Sequence, residues 1–314
     1  MCETFGLGVA TAAPVVAAAG WGGRNRVWRV ETDRGVFAVK DTTAELLPEQ
    51  PDAAFTIELV AHAARVLCPS PILSIYGAVF EEVGGRWYRC HEWVEGSAKQ
   101  NEDTTPEDAR GMGRVVAQLH LLGIDAGPGP APVPFERSHW LDLAARSPTS
   151  AWSPLVRNNL DAIVAADAMG ASFRDDALVG SHCDLNAHNV LFTDRGPVLI
   201  DWDAAGPASP AYERASTTML WAQRADGRYS LEIAAAFLRS YRDRGGHVSL
   251  DDVGSLRGWL IGLAWWTERN LQIAVAQPSR QHDQLATQLT QALIRGAATI
   301  ETRQHFLQEV LEHL

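Results

Sequence analysis

His182, Asp184 and Asn189 lie in the stretch "SHCDLNAHNVLF", residues 181–192, and Asp201 and Asp203 follow in "IDWD", residues 200–203. Two carboxylates and an amide offer only oxygen donors. Such a set suits a hard divalent cation such as Mg²⁺, which takes few protein ligands and fills its other positions with phosphate oxygens. A carboxylate beside the metal but not on it can aim an attacking hydroxyl. The chemistry in view is therefore transfer of a phosphoryl group. Against it stands the ordinary use of Asp and Asn as turn formers.

The elements around these residues decide between the two. "VLF" and "PVLI" are short apolar runs joined by "TDRG", which reads as a β-hairpin. The polar residues sit just before the first strand and just after the second, and a hairpin brings those ends together. Asp184, Asn189 and Asp201 should converge although 17 residues separate the first from the last. Upstream, "VWRVET" and "VFAVK" flank "DRG", and a second strand–turn–strand pattern runs over 77–94 with Gly84-Gly85 at its tip. Between them, Phe55, Leu59, Ala63 and Val66 fall at helical spacing. After residue 96 the pattern is helical: Thr105 precedes Pro106 as an N-cap, and Met112, Val115, Val116 and Leu119 form a stripe. Residues 125–135 are a Pro/Gly loop. The expected layout is a β-rich lobe over 1–95, a connector near 91–97 and an α-rich lobe over 96–314.

The bulk composition narrows the partners. With 314 residues, 46% of them apolar and 21% charged, the chain can build one two-lobed unit or two domains. A net charge of −11 disfavours nucleic acid and is compatible with a cationic substrate. The four cysteines are scattered, without metal-like spacing. No apolar run is long enough to span a bilayer, and the N-terminal apolar stretch lacks a basic lead and is broken by Pro14. A soluble, cytoplasmic protein is expected.

"HCDLNAHN" fits H-x-D-x-x-x-x-N, and "IDWD" takes the place of the metal-binding D-F-G element of protein kinases. In this form the chain resembles the aminoglycoside phosphotransferase and choline kinase family. "VFAVK", "CHEWVEG" and "GPASPAYERAS" extend the resemblance over roughly residues 20–216. The family more often shows Asp where Glu213 stands, and often Gly where Cys183 stands. The resemblance implies an α+β, bilobal, protein-kinase-like fold: a small antiparallel sheet with one helix, then a larger helical lobe.

It also implies roles. Asp184 becomes the catalytic base, Asn189 and Asp201 the Mg²⁺ ligands, and Lys40 the cation on the α- and β-phosphates of ATP or GTP. Glu58 is the candidate ion-pair partner of Lys40, with Glu45 and Glu49 as competitors. Backbone groups of His91 and Trp93 would grip the base, and Gly22, Gly23 and Asn25 in "GWGGRN" would let backbone N–H groups approach phosphate. His182 is expected to buttress the loop. The acceptor falls to the helical lobe, where Trp265 and Glu268 could hold an amine; Asp203 could accept a hydrogen bond behind the metal, be a partial metal ligand or add to a cationic-substrate surface. The competing reading of "WLIGLAWW" is a buried helix. The implied activity is O-phosphorylation of an aminoglycoside-like or other cationic antibiotic. The alternatives are a metabolic kinase of an amino alcohol or sugar, and an inactive nucleotide-binding scaffold.

Overall fold

The computed structural model describes residues 1–19, 26–42, 51–127, 136–168, 178–250 and 252–314. Gly22, Gly23, Asn25, Glu45, Glu49 and most of the 125–135 loop lie outside them.

The N-terminal part is an antiparallel sheet. In chain order come β1 (Val15–Ala19), β2 (Arg26–Thr32), β3 (Gly35–Asp41), the helix α1 (Pro51–Ala63), β4 (Pro71–Ile72), β5 (Glu81–Val83) and β6 (Arg86–Glu92). The strand order is β1-β2-β3-β6-β4, and β5 pairs with β6. Register sets what each face carries. Val39 stands opposite Cys90, and together with Val30 they pack on Phe5 and Leu7 from the N-terminal segment. Lys40 stands opposite Arg89, and Ala38 opposite His91. Because side chains alternate along a strand, Lys40, Arg89 and His91 share the other face. The β5–β6 turn falls at Gly84 and Gly85, both with positive φ (62° and 76°), as a two-residue hairpin requires.

The rest of the chain is largely helical: α2 (Pro106–Leu121), α3 (Arg137–Arg146), α4 (Trp152–Asn158), α5 (Leu160–Ala168), α6 (Pro210–Ala222), α7 (Leu231–Asp243), α8 (Asp252–Ala276) and α9 (Arg280–Glu312). Between α5 and α6 lie β7 (Val179–Ser181), β8 (Val190–Thr193), β9 (Gly196–Leu199) and β10 (Gly206–Ala208). β8 pairs with β9 and β7 with β10. Thr105 caps α2 as the sequence suggests: its hydroxyl accepts the Asp108 N–H at 3.2 Å and the Asp108 carboxylate accepts the Thr105 N–H at 2.9 Å.

One tetrapeptide, Thr-Asp-Arg-Gly, makes the same turn at 32–35 and at 193–196. In each the Thr hydroxyl accepts the Arg N–H at 3.1 Å; Thr193 donates to the Gly196 carbonyl at 2.9 Å, whereas Thr32, 3.1 Å from the Gly35 carbonyl, lies closer to the Leu7 carbonyl at 2.6 Å. The Gly takes φ 147° at 35 and 116° at 196, where a Cβ is disfavoured. The second of these turns closes the hairpin that carries the candidate site.

The larger core holds Met112, Val116 and Leu119 of α2 and the fully buried Trp140, Trp152, Trp202 and Trp221. Much of the tryptophan content is thus packing. Ile57, Ala61 and Val66, in and just after α1, also belong to this core, so the helical core reaches across the boundary expected at residue 95. Among the described residues, no helix is long and apolar enough to cross a membrane.

Candidate active site

β7 leads into the loop that carries Asp184. His182 is fully buried and tilted against Trp202, ring centroids 4.8 Å apart. Its Nε2 lies 2.9 Å from the Ile200 carbonyl, which can only accept, so Nε2 bears hydrogen. Its Nδ1 accepts the Asp184 N–H at 3.3 Å. The ring is therefore neutral, and it ties the Asp184 loop to the strand end that leads into Asp201. Asn189 donates from its amide to Asp184 Oδ2 at 2.7 Å and to the Asp184 carbonyl at 3.1 Å. Asn186 donates to Asp184 Oδ1. Together the two amides fix the plane of the carboxylate. The Ile200 N–H donates to the Asn189 carbonyl at 2.9 Å, so hairpin closure ties the residue before Asp201 to the backbone of Asn189. Asp201 is held in the left-handed region, φ 65° and ψ 58°, which Asp tolerates better than most side chains.

Across from this loop the sheet presents its cations. Lys40 Nζ lies 2.5 Å from Asp201 Oδ1 and also pairs with Asp203. Arg89 pairs with Asp203 at 3.0 Å and reaches Glu58 at 3.6 Å. Glu58 in turn takes His91 Nε2 at 2.8 Å. Burial would raise the Glu58 carboxyl; the Arg89 guanidinium, then His91, outweigh this and hold it below its usual range. Two sequence expectations need correction. Glu58 takes Arg89 and His91 as its partners, not Lys40, because the β3–β6 register sets all three side chains on one face and Glu58 meets the two from β6. The Trp93 N–H is spent on the Val36 carbonyl at 3.0 Å, and His91 sits within the sheet opposite both Ala38 and Pro71. Among the described residues, the N–H groups of Val94, Glu95 and Gly96 donate to no backbone acceptor.

A buried network that sequence reasoning missed supports the loop from behind. Glu213 accepts from the Cys183 N–H at 2.7 Å, from His120 Nε2 at 2.6 Å and from the Ser181 hydroxyl. His120 Nδ1 meets the Tyr241 hydroxyl at 2.9 Å; Tyr241 accepts from Arg214 at 3.3 Å, and Arg214 pairs with Asp252. Burial would push the Glu213 carboxyl up; the His120 hydrogen bond and charge, then Ser181 and the Cys183 N–H, hold it down. In the sequence Glu213 stands out only as a departure from Asp, and its separation of 93 positions from His120 leaves no local pattern to read. Cys183 itself has φ 61°, the physical reason that Gly is often found there. Cys183→Gly is expected to be neutral or to stabilise by up to about 1 kcal/mol, and Cys183→Val to destabilise, as read by thermal unfolding.

Asp184 also lies on the wall of a cavity of about 200 Å³, lined with Asn186, Tyr212, Ser216, Thr217 and Trp259 among others. Trp259 is the α8 residue that reaches it. Glu268 and Trp265 do not line it. Nine residues after Trp259 is about two and a half helical turns, so Glu268 faces the opposite side, buried and bound to His139 at 2.7 Å and to Gln272. Trp265 is exposed and stacks on Trp266 at 6.4 Å. The expected amine-binding role of both is corrected by this geometry. Asp203 is taken up by Lys40 and Arg89.

The sequence model of the phosphotransferase enzyme family matches residues 15–247. The chain belongs to that family. This phosphotransferase is 29% identical over 226 residues to the homoserine kinase of Bradyrhizobium sp. strain BTAi1, across 70% of this chain and 67% of that one. Its fold is similar to that of spectinomycin phosphotransferase, solved with ADP and spectinomycin, at TM-score 0.65 with 13% identity over 96% of each chain. It is also similar to that of a choline/ethanolamine kinase family protein from Mesorhizobium loti, at TM-score 0.57 with 15% identity over 96% of this chain and 94% of that one. These likenesses establish the protein-kinase-like α+β fold of the phosphotransferase; at such identities they speak for the fold alone.

Proposed function

We propose that this phosphotransferase moves the γ-phosphoryl group of ATP or GTP, with Mg²⁺, to the hydroxyl of a small amino alcohol or hydroxy amino acid. The observation that carries this reading is Asp184: its carboxylate, oriented by Asn186 and Asn189, lies on the wall of a cavity of about 200 Å³. Sites that bury drug-sized ligands run to about 300–1,000 Å³, so the space beside Asp184 suits a smaller acceptor. The relatives named homoserine kinase favour the same size class.

The residues present fit a divalent cation. Because the Asp184 carboxylate can only accept, Asn189 must turn its NH₂ toward it, and the amide oxygen is left as a hard donor. Asp201 already holds a positive charge, the Lys40 ammonium. Asn189 and Asp201 would hold Mg²⁺, which when bound neutralises charge on the transferred phosphoryl group. The protein's share is positioning and charge. Lys40 exchanges its carboxylates for nucleotide phosphates. Asp184 accepts the hydroxyl proton as the acceptor oxygen forms its bond to phosphorus and the bond to the departing nucleoside diphosphate breaks.

The net charge of −11 favours a second reading, a cationic antibiotic as acceptor. A panel of L-homoserine, ethanolamine, choline and spectinomycin, each with Mg²⁺ and γ-labelled ATP or GTP, separates them. The proposal expects kcat/KM at least about 100-fold higher for a small acceptor than for the antibiotic, as a difference of roughly 2.7 kcal/mol would give. Preference for the antibiotic would overturn it.

A further inference from the structure

Asp184 ends a relay of amides whose direction is fixed from the other end. Asn101 opens a short 3-10 turn, Asn101–Asp103, at the entry to the helical lobe. Arg224 holds that turn: its guanidinium donates to the carbonyls of Asn101 at 3.0 Å, Glu102 at 2.7 Å and Thr104 at 2.9 Å. The Asn101 side chain crosses 86 positions of sequence to meet the Asp184 loop. There the Ala187 N–H opens the turn Ala187–Asn189, and Asn186, the residue before it, gives that turn no side-chain cap. Asn101 Oδ1 accepts this N–H instead, at 2.8 Å. A backbone N–H can only donate, so the Asn101 oxygen must face it, and the Asn101 NH₂ is turned to Asn186 Oδ1 at 3.2 Å. Asn186 is thereby left with its own NH₂ toward Asp184 Oδ1. Reversing either amide would set oxygen against oxygen. Asn186 lines the cavity beside Asp184, and Asn101 is not among the lining residues.

We infer that Asn101 is a positioning residue for phosphoryl transfer: through the Ala187 N–H it sets which end of the Asn186 amide faces the Asp184 carboxylate. This role rests on Asp184 receiving the hydroxyl proton, as proposed above, and deepens that reading. Asn101 takes no part in bond making and acts through Asn186. A carboxylate in its place separates direction from packing. Asn101→Asp keeps the shape and an oxygen for the Ala187 N–H but removes the NH₂ that Asn186 Oδ1 accepts. Asn186 then has a carboxylate at both ends and one NH₂ to offer, so whichever way it turns, its oxygen faces a carboxylate. Asn101→Ala removes the constraint without reversing it.

The test measures kcat and KM for wild type, Asn101→Ala, Asn101→Asp and Asp184→Asn, and for both Asn101 variants in an Asn186→Ala background. Each is assayed with Mg²⁺, the preferred nucleotide and the best acceptor among L-homoserine, ethanolamine, choline and spectinomycin, with thermal unfolding alongside. Asn101→Ala should lower kcat a few-fold. Asn101→Asp should lower it by about 10- to 100-fold, the factor for losing one hydrogen bond to a charged group, with the nucleotide KM within a few-fold of wild type. A merely structural role gives the reverse order, because Asn101→Asp retains an acceptor for the Ala187 N–H. In the Asn186→Ala background the two Asn101 variants should turn over equally. Asn101→Asp as active as Asn101→Ala, or a gap between them that persists without Asn186, would overturn the role of Asn101. If Asn101→Asp fails to fold, Asn101→Ala decides: it should lower kcat beside Asn186 and have no effect in Asn186→Ala, and equal loss in both would overturn the role. Loss of turnover in Asp184→Asn with no difference between the Asn101 variants would overturn Asn101 alone. Unchanged turnover in Asp184→Asn would overturn the reading of Asp184 and this role with it.

Discussion

Asp184→Asn should lower kcat by about 10²- to 10⁴-fold, the usual contribution of a positioned general base, with little change in nucleotide affinity. The replacement keeps the shape of the side chain and removes its charge. Two amides now donate to its two oxygens, from Asn186 and from Asn189 at 2.7 Å. In the variant one of those donors would face an NH₂ group, so Asn189 is expected to rotate. Pre-steady-state nucleotide binding, measured beside turnover, separates loss of the base from loss of the site. An unchanged turnover with every accepted substrate would remove Asp184 from the chemistry.

The second large effect concerns folding. Glu213→Ala should destabilise the protein by about 3–5 kcal/mol, the range for removing one partner of a buried charged pair. The change leaves the Cys183 N–H, the Ser181 hydroxyl and His120 without their shared acceptor. It also frees the left-handed residue directly before Asp184, so activity should fall with stability. Glu213→Gln keeps one oxygen and should cost less. Because the folded state holds the Glu213 carboxyl below its ordinary value of 4.5, its contribution is fully present above that value and is lost as pH falls through the lower folded one. The stability gap between wild type and Glu213→Gln should be flat at neutral pH and narrow on acidification below 4.5. Denaturant unfolding across pH checks this, and a gap that widened with acid would contradict it.

Local pattern was enough where the physics is local. The Gly84-Gly85 turn, the two Thr-Asp-Arg-Gly turns and the Thr105 cap could all be read from a few adjacent residues. The convergence of Asp184 and Asn189 with the strand end before Asp201 followed from one hairpin. Long-range pairing was not readable in this way. The partner of Glu58 depends on β3 meeting β6 in the register that sets Lys40 against Arg89, and Arg89 carried no signal of its own. The sequence neighbours of Glu268 suggest a substrate role, but a helix turns neighbours onto different faces, and Glu268 pairs with His139. Trp259 and Arg303 are brought together by the packing of α8 on α9, which no motif announces.

The central claim is that Asp184, Asn189, Asp201 and Lys40 together direct phosphoryl transfer to a hydroxyl. Its most direct measurement follows label from [γ-³²P]ATP or GTP into a small acceptor, in the presence and absence of Mg²⁺, for wild type and Asp184→Asn. The account expects Mg²⁺-dependent labelling of the acceptor oxygen by wild type and almost none by the variant. Nucleotide binding without transfer to any hydroxyl-bearing acceptor, or equal transfer by both proteins, would contradict it.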